Sequence, residues 1–399
     1  MNKDVIKTVD QLKVYLNTMK VDSDLKSDII EGLAQNSMSL TITHHVLNLI
    51  DWNNPSTDPI RKQFLPLHSE YLPSHPQSRI DSLSEKKQEV SSGLIHRYPN
   101  KLLFLSTNYC PTYCAFCTRS YTVSNDTEFL KKSKLEEAFK TRVNNLVKYL
   151  KSNPNISDIV ISGGDIASAS TSMIDIILSA IINIQTLKTV RLATRTLLFN
   201  PDIFLPKTQL FELITKYSSR FKSQGIELSI QCHFNHANEI STTSQEATNS
   251  LFNSGVKIRN QTVLLNGVNS SHEAQKELIH KLISSNIEPY YVYQMDMVTN
   301  AEHFRTSLKT CIDISKSLTG LFPGFHLPRF IVDLPFGGGK RSVYEYDFYD
   351  DKYGVYWFRS PAISDDKIYF YCDPLKYLNA HIQEQWIRKK SISAIYNLD

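Results

Sequence analysis

Residues 102–121 read LLFLSTNYCPTYCAFCTRSY: a short apolar run that breaks into a loop carrying Cys110, Cys114 and Cys117. An apolar run of that length, stopped by a polar loop, has the pattern of a buried strand. Working outward, runs of the same kind recur as DIVIS from 158, TVRLA from 189, ELSIQCHF from 227, KIRNQTVLL from 257, EPYYVYQM from 288 and FIVDL from 330. Helix-length amphipathic stretches separate them. Ser133 to Leu150 puts Leu135, Phe139, Val143, Leu146 and Leu150 on one face behind a capping box of Ser133 and Glu136. Another follows Ser270, with Glu273 three residues on and Leu278, Ile279 and Leu282 turned inward. A recurrence of roughly 30–40 residues is that of parallel strands joined by crossover helices. The fold class is therefore α/β, with a parallel sheet that is open or curled into a full or partial barrel. The functional site is expected where the βα loops gather, at the carboxyl ends of the strands.

The bulk properties narrow the class. The 399 residues are 41% hydrophobic, enough to bury a sizeable core, so disorder is excluded. A net charge of +4, with no long block of like charge, does not describe a nucleic-acid binder. The opening MNKDVIKTVDQLKVYL reads as a charged amphipathic helix rather than a secretion leader, and the longest apolar stretch, Ile174 to Ile184, is interrupted by Ser179 and too short for a membrane span. A soluble cytoplasmic enzyme is the expectation. Residues 1–90 read as short helices, among them SLTITHHVLNLIDW, with DPIRKQFLPLHSEYLP as a Pro-bounded connector. The expected organisation is a helical region over 1–90, a core over 91–335 and a terminal segment over 336–399.

The cysteine spacing is C-x3-C-x2-C. Thiolates gathered on one loop suit an iron–sulfur cluster or zinc. A zinc site or an ordinary four-cysteine cluster needs a fourth ligand, and Cys232, Cys311 and Cys372 are scattered singly. Three ligands on a cubane leave one iron open to a small molecule. Three buried apolar cysteines, or zinc completed by a distant histidine, are the plainer alternatives. Pro111, Tyr113 and Phe116 would shield a cluster from water.

Of only 13 glycines, five stand in two clusters. SGGD, Ser162 to Asp165, ends the run DIVI, where Gly163 and Gly164 would expose backbone groups to a ligand; a plain strand-to-helix turn is the alternative. VDLPFGGGK ends in Lys340 and lacks the spacing and trailing hydroxyl of a nucleotide-hydrolysing loop. Such a lysine can form a Schiff base with pyridoxal phosphate. On its own it is as well read as a solvent-facing side chain.

Together, LIDWNNPSTDPIRKQFLP, GLIHRYPNKLLFL, CPTYCAFCTR, VISGGD, VRLATRT, CHFNHANEI, NQTVLLNGVN, EPYYVYQMD, AEHFRT and FIVDLPFGGGK resemble, in order, the lysine 2,3-aminomutase family of radical S-adenosylmethionine enzymes. The resemblance implies a partial (β/α)6-type parallel barrel with an N-terminal helical extension and a C-terminal α+β extension. It implies a [4Fe–4S] cluster on Cys110, Cys114 and Cys117, and pyridoxal phosphate on Lys340 with Arg97, Tyr98 and Lys101. S-adenosylmethionine would be surrounded by Ser162, Gly163, Gly164, Asp165, Arg195, His233, Asn235 and Gln261. Arg119 matches the residue that pairs with the substrate α-carboxylate, and Asp296 and Asp333 match the two that hold the distal ammonium of lysine. The implied reaction is a radical 2,3-amino migration between L-lysine and β-lysine, fed by a flavodoxin- or ferredoxin-type reductant in a homo-oligomer. Another cationic amino acid such as arginine, or a non-catalytic cluster- or zinc-binding protein, are the competing readings. The chain departs from the family where Ser120 and Tyr121 replace arginines, where Phe336 replaces a glycine, where Lys101 replaces an arginine, and in a Tyr-rich tail from 341 onward. That tail is not the cysteine-rich zinc-binding tail of some relatives and holds only Cys372, so no structural zinc is expected.

Overall fold

A computed structural model describes residues 4–397. Near its start, β1 (Val5–Ile6) and β2 (Ile42–Thr43) pair antiparallel and clip together the helices Val9–Thr18 and Ser23–Gln35. Thr8 closes a capping box with Gln11, and the Asp22 carboxylate caps the second helix. Helix across SLTITHHVLNLIDW is confined to His44–Asn48, because Thr43 stays extended and its hydroxyl accepts from the Val46 N–H.

Ten strands then follow one another across a single sheet in chain order: β3 (Glu89–Ser91), β4 (Leu94–Tyr98), β5 (Lys101–Thr107), β6 (Asp158–Gly163), β7 (Thr189–Ala193), β8 (Glu227–Cys232), β9 (Lys257–Leu264), β10 (Glu288–Gln294), β11 (Arg329–Leu334) and β12 (Gly339–Ser342). From β5 to β11 all neighbours are parallel, joined by the crossover helices Phe139–Ser152, Thr171–Ile181, Gln209–Lys222, Thr242–Asn253, His272–Ser284 and Leu308–Leu318. Each run expected to be a strand is one. Antiparallel β3 and β4 finish one edge and β12 the other.

The sheet is strongly curled. β4 and β11 lie seven places apart in the strand order, which in a flat sheet would separate them by about 34 Å. Yet Arg97 of β4 meets Asp333 of β11 at 3.1 Å. The chain from Arg79 to Gln88 fills the seam: Arg79 N–H donates to Met297 O at 3.0 Å, and Phe336 N–H donates to Ser82 O at 3.1 Å. Sequence gave this stretch no role.

Two helix starts differ from expectation. The helix expected from Ser133 begins at Phe139, with no side-chain cap. Ser133 is held elsewhere, its N–H on Tyr121 O at 2.8 Å and its carbonyl accepting from the Thr122 hydroxyl at 2.8 Å. The later helix is capped by Ser271 rather than Ser270; Leu278, Ile279 and Leu282 are buried as expected.

Leu12, Leu16 and Ile29 of the N-terminal helices share one apolar core with Leu102, Phe104 and Ile161 of the sheet. A second core joins β11 to a three-stranded antiparallel sheet, β13 (Phe348–Asp350), β14 (Val355–Ser360) and β15 (Ser364–Cys372), and to Trp386 of the helix Ala380–Lys389. Lys340 thus stands in the main sheet, while the tail sheet starts at Phe348. Phe336 sits in the left-handed region (φ 61°), which bulky residues avoid. Its ring packs on Phe370 of β15, centroids 5.3 Å apart, and Arg79 lies 5.9 Å from it. Gly337 (φ 86°) follows, where a side chain would collide with the Gln88 amide. Among the described residues no helix is long and apolar enough to cross a membrane.

Candidate active site

Inside the curl lies a cavity of about 420 Å³. Every residue singled out from the sequence lines it except Asn235. Its contents divide into a sulfur end and a charged end.

The cysteine loop is anchored by the N-terminal region. Tyr113 N–H donates to Thr41 O at 3.0 Å, Ala115 N–H to Gln63 O at 2.9 Å, and Thr43 N–H to the Thr112 hydroxyl at 3.0 Å. Cys110, Cys114 and Cys117 are free thiols, each partly buried. Burial, reinforced by the neighbouring thiols, pushes Cys117 up to about 12 and Cys110 well above its ordinary value. Cys114 is pushed up by burial against the pull of Arg195, whose Nη1 donates to Sγ at 2.9 Å. Among the described residues no three His, Cys, Asp or Glu close on a single ion. All three cysteines line the cavity.

Gly163 and Gly164 serve first to dock this loop. Gly163 has φ 124°, and a side chain on it would strike Thr107; one on Gly164 would strike Tyr109. The Gly164 N–H donates to Thr107 O at 2.6 Å and the Asp165 N–H to Tyr109 O at 2.9 Å, so these two amides are engaged within the protein. The Asp165 carboxylate is also engaged, accepting from the Thr194 hydroxyl and the Arg195 N–H at 2.6 Å each and from the Ala167 N–H at 2.9 Å. Arg195 donates to Gln63 at 2.7 Å and Glu239 at 3.1 Å. Asn235 lies wholly buried off the cavity, its N–H on Glu239 at 3.0 Å and its amide on Gln63 at 2.9 Å. Asp165, Arg195 and Asn235 therefore form a scaffold with Gln63 and Glu239, which sequence reasoning missed. Ser162, Gly163, Gly164, Asp165, Arg195, His233 and Gln261 all line the cavity.

At the charged end, Asp333 Oδ2 accepts from Lys340 Nζ at 2.7 Å and Oδ1 from Arg97 Nη1 at 3.1 Å. Burial pushes the Asp333 carboxyl up, but Lys340 and Arg97 hold it below the usual carboxylate range. Burial likewise disfavours the Lys340 ammonium, and Asp333 more than reverses this. Arg97 also donates to Gln88 at 2.8 Å and Leu83 O at 3.0 Å. Tyr98 Oη accepts from the Lys340 N–H at 2.8 Å, and the rings of Tyr98 and Tyr293 flank Nζ at 5.8 and 5.6 Å. Asp296 has the Thr118 hydroxyl at 2.9 Å; burial, with Asp333 adding, pushes it up to about 7. Lys101 lies 4.9 Å over Tyr98, and Arg191, paired with Asp158 at 2.9 Å, lines the same floor.

No family model matches the chain. It is 34% identical over 340 residues to the L-lysine 2,3-aminomutase of Clostridium subterminale, an alignment covering 85% of this chain and 75% of that protein. Against the L-lysine 2,3-aminomutase of Fusobacterium nucleatum it is 30% identical over 402 residues, 100% of this chain and 87% of that one. The chain belongs to the lysine 2,3-aminomutase family. It is an enzyme, an isomerase of the aminomutase type. The family also reaches the glutamate 2,3-aminomutase of Clostridioides difficile, 31% identical over 302 residues, 76% of this chain and 67% of that one.

The family resemblance pointed to Arg119 but not to its partner. Glu85 accepts from Arg119 Nε and Nη2 at 2.9 Å each, and Tyr121 Oη donates to it at 2.9 Å. Glu85 sits in the polar run SEKKQE, where nothing local sets it apart from solvated neighbours.

Proposed function

We propose that this aminomutase interconverts L-lysine and β-lysine, as the names of the two lysine relatives suggest. The observation that carries the reading is that Arg119, Asp296 and Asp333 face one cavity with Lys340. A guanidinium fork suits an α-carboxylate, and a pair of carboxylates suits a distal ammonium. Glutamate, bearing a second carboxylate, would be repelled by that pair.

The residues fit the three cofactors of the family. Cys110, Cys114 and Cys117 would hold a [4Fe–4S] cluster; Ser162, Gly163, Gly164, Asp165, Arg195, His233 and Gln261 would surround S-adenosylmethionine, with Asn235 behind them. Lys340 would anchor pyridoxal phosphate between the rings of Tyr98 and Tyr293, with Lys101 and Arg191 as cations for its phosphate. When bound, cluster and S-adenosylmethionine supply a hydrogen-abstracting radical, and pyridoxal phosphate supplies the carbonyl that carries the migrating nitrogen. The chain's own part is positioning. Asp333 Oδ2, 2.7 Å from Lys340 Nζ, fixes the position of that side chain in the cavity. Arg119 orients the α-carboxylate, Asp296 offers an acceptor without a cationic partner, and the curled sheet, read as a partial barrel, excludes water. The same reading includes the three-part organisation, a cytoplasmic homo-oligomer and a flavodoxin- or ferredoxin-type reductant.

The test is anaerobic reconstitution with iron, sulfide and pyridoxal phosphate, then addition of lysine, S-adenosylmethionine and dithionite. β-Lysine should accumulate. Isomerisation of arginine or glutamate in place of lysine would overturn the substrate assignment, and failure to form a cluster with all three cysteines intact would overturn the whole reading. Lys340→Ala should lose the absorbance of bound pyridoxal phosphate and keep that of the cluster.

A further inference from the structure

A guanidinium has five N–H donors. On Arg119, Glu85 takes one from Nε and one from Nη2, and Ser162 Oγ takes one from Nη1 at 3.1 Å. One donor on each terminal nitrogen is left, so this cavity-lining residue keeps two N–H groups for a second partner.

The group on Nε and Nη2 is itself fixed. Glu85 is buried; its N–H donates to Asp81 Oδ1 at 2.9 Å, and Tyr121 Oη donates to Oε2 at 2.9 Å. Ser84, just before it, has φ 54°, a left-handed turn in the seam between the two sheet edges. Burial pushes the Glu85 carboxyl up, and Arg119 brings it below its ordinary value, so it is a carboxylate. A buried carboxylate is costly unless paired, and this one is paired with the cation assigned to the substrate. Tyr121 is a neutral donor, so it steadies Glu85 without bringing a second positive charge to compete for it.

We propose that Glu85, steadied by Tyr121, is a positioning residue that clamps Arg119 so that its two remaining N–H groups are held ready for the α-carboxylate of the amino acid substrate. The inference rests on the amino-acid aminomutase reading above.

The test uses the reconstituted holoenzyme and two ligands, L-lysine and 1,5-diaminopentane, which lacks the α-carboxylate and serves as a competitive inhibitor. Glu85→Gln should raise KM for lysine about tenfold, with kcat within about twofold of the parent and the inhibition constant of the diamine unchanged. An unchanged or lower KM overturns the proposal, the latter because Glu85 would then compete with substrate. A parallel rise in KM and in the diamine constant also overturns it, since the role would be general to the fold. If Glu85→Gln does not fold, Glu85→Asp gives the same reading: it keeps the charge and withdraws the clamp, so KM should rise about threefold with the diamine unaffected, and an unchanged KM counts against positioning. If the parent turns over arginine or glutamate instead of lysine, the lysine assignment fails, yet the Glu85 effect is still scored on that amino acid's KM. If it turns over none, both fall.

Discussion

The carboxylate at the end of β11 and the one just beyond β10 have the same chemistry and opposite settings. Asp333 accepts from Lys340 at 2.7 Å and Arg97 at 3.1 Å, and is held below the usual carboxylate range. Asp296 has a hydroxyl from Thr118 at 2.9 Å and is pushed up to about 7 by burial, with Asp333 adding. The difference comes from cations delivered by remote parts of the chain. β12 brings Lys340 alongside β11, and the curl of the sheet brings Arg97 from the opposite edge. Of two matched acids, one is filled in the free enzyme and the other is left open to a cation.

Breaking the filled side should have the largest effect. Asp333→Asn leaves Lys340 and Arg97 facing each other without a counter-charge, and should cost about 3 kcal/mol in urea unfolding at pH 7. An unchanged midpoint would show that Asp333 is not what holds these cations. The wild-type pair should also weaken in acid. Because the Asp333 value is depressed, its contribution is present above the unfolded value near 4 and is lost as pH falls through the folded one.

Asp296 should behave in the opposite sense. Its folded value is raised above its unfolded value, so its contribution is present below pH ~4 and is lost as pH rises toward ~7, at up to about 1.4 kcal/mol per pH unit. Asp296→Asn should remove that slope, measured as unfolding free energy from pH 4 to 8; a wild-type protein already flat over that window would sink the assignment. Ligand binding sharpens the point, since lysine should bind more tightly as pH rises through about 7, by about tenfold, and the variant should lose this rise. The smallest effect is expected from Thr118→Val, which removes the single hydroxyl on Asp296. The midpoint of the pH-dependent binding should move upward by a few tenths of a pH unit, with stability changed by about 1 kcal/mol or less.

Much of this arrangement was legible in the sequence. The strands β5 to β11 were, because turn-bounded apolar runs and crossover spacing are local signals. So was the place of the cysteine loop, since it follows directly on the apolar run of β5. Lys340 and the two acids carried weight only through the resemblance, as a lysine after glycines or an acid after a strand is ambiguous alone. The seam was not legible: the span Arg79–Gln88 acquires its role only when the sheet curls, and Glu85 is one acid among five charged or amide residues. Helix caps failed for a similar reason, Ser133 being tied by long-range bonds that a capping pattern cannot register. The Gly163–Gly164 pair was noticed, but that it also clears space for the backbone of the neighbouring loop was not legible.

Phe336 extends this dependence on distant partners to inheritance. A glycine at that position would adopt the turn before Lys340 wherever the tail went. With φ at 61°, the phenylalanine is retained in an unfavourable shape by its contact with Phe370 of β15. Turn and tail are therefore a matched set. A chimaera carrying this core and a relative's tail should regain a well-placed Lys340 only when Phe336 is returned to glycine, and a lineage that exchanges one must soon exchange the other.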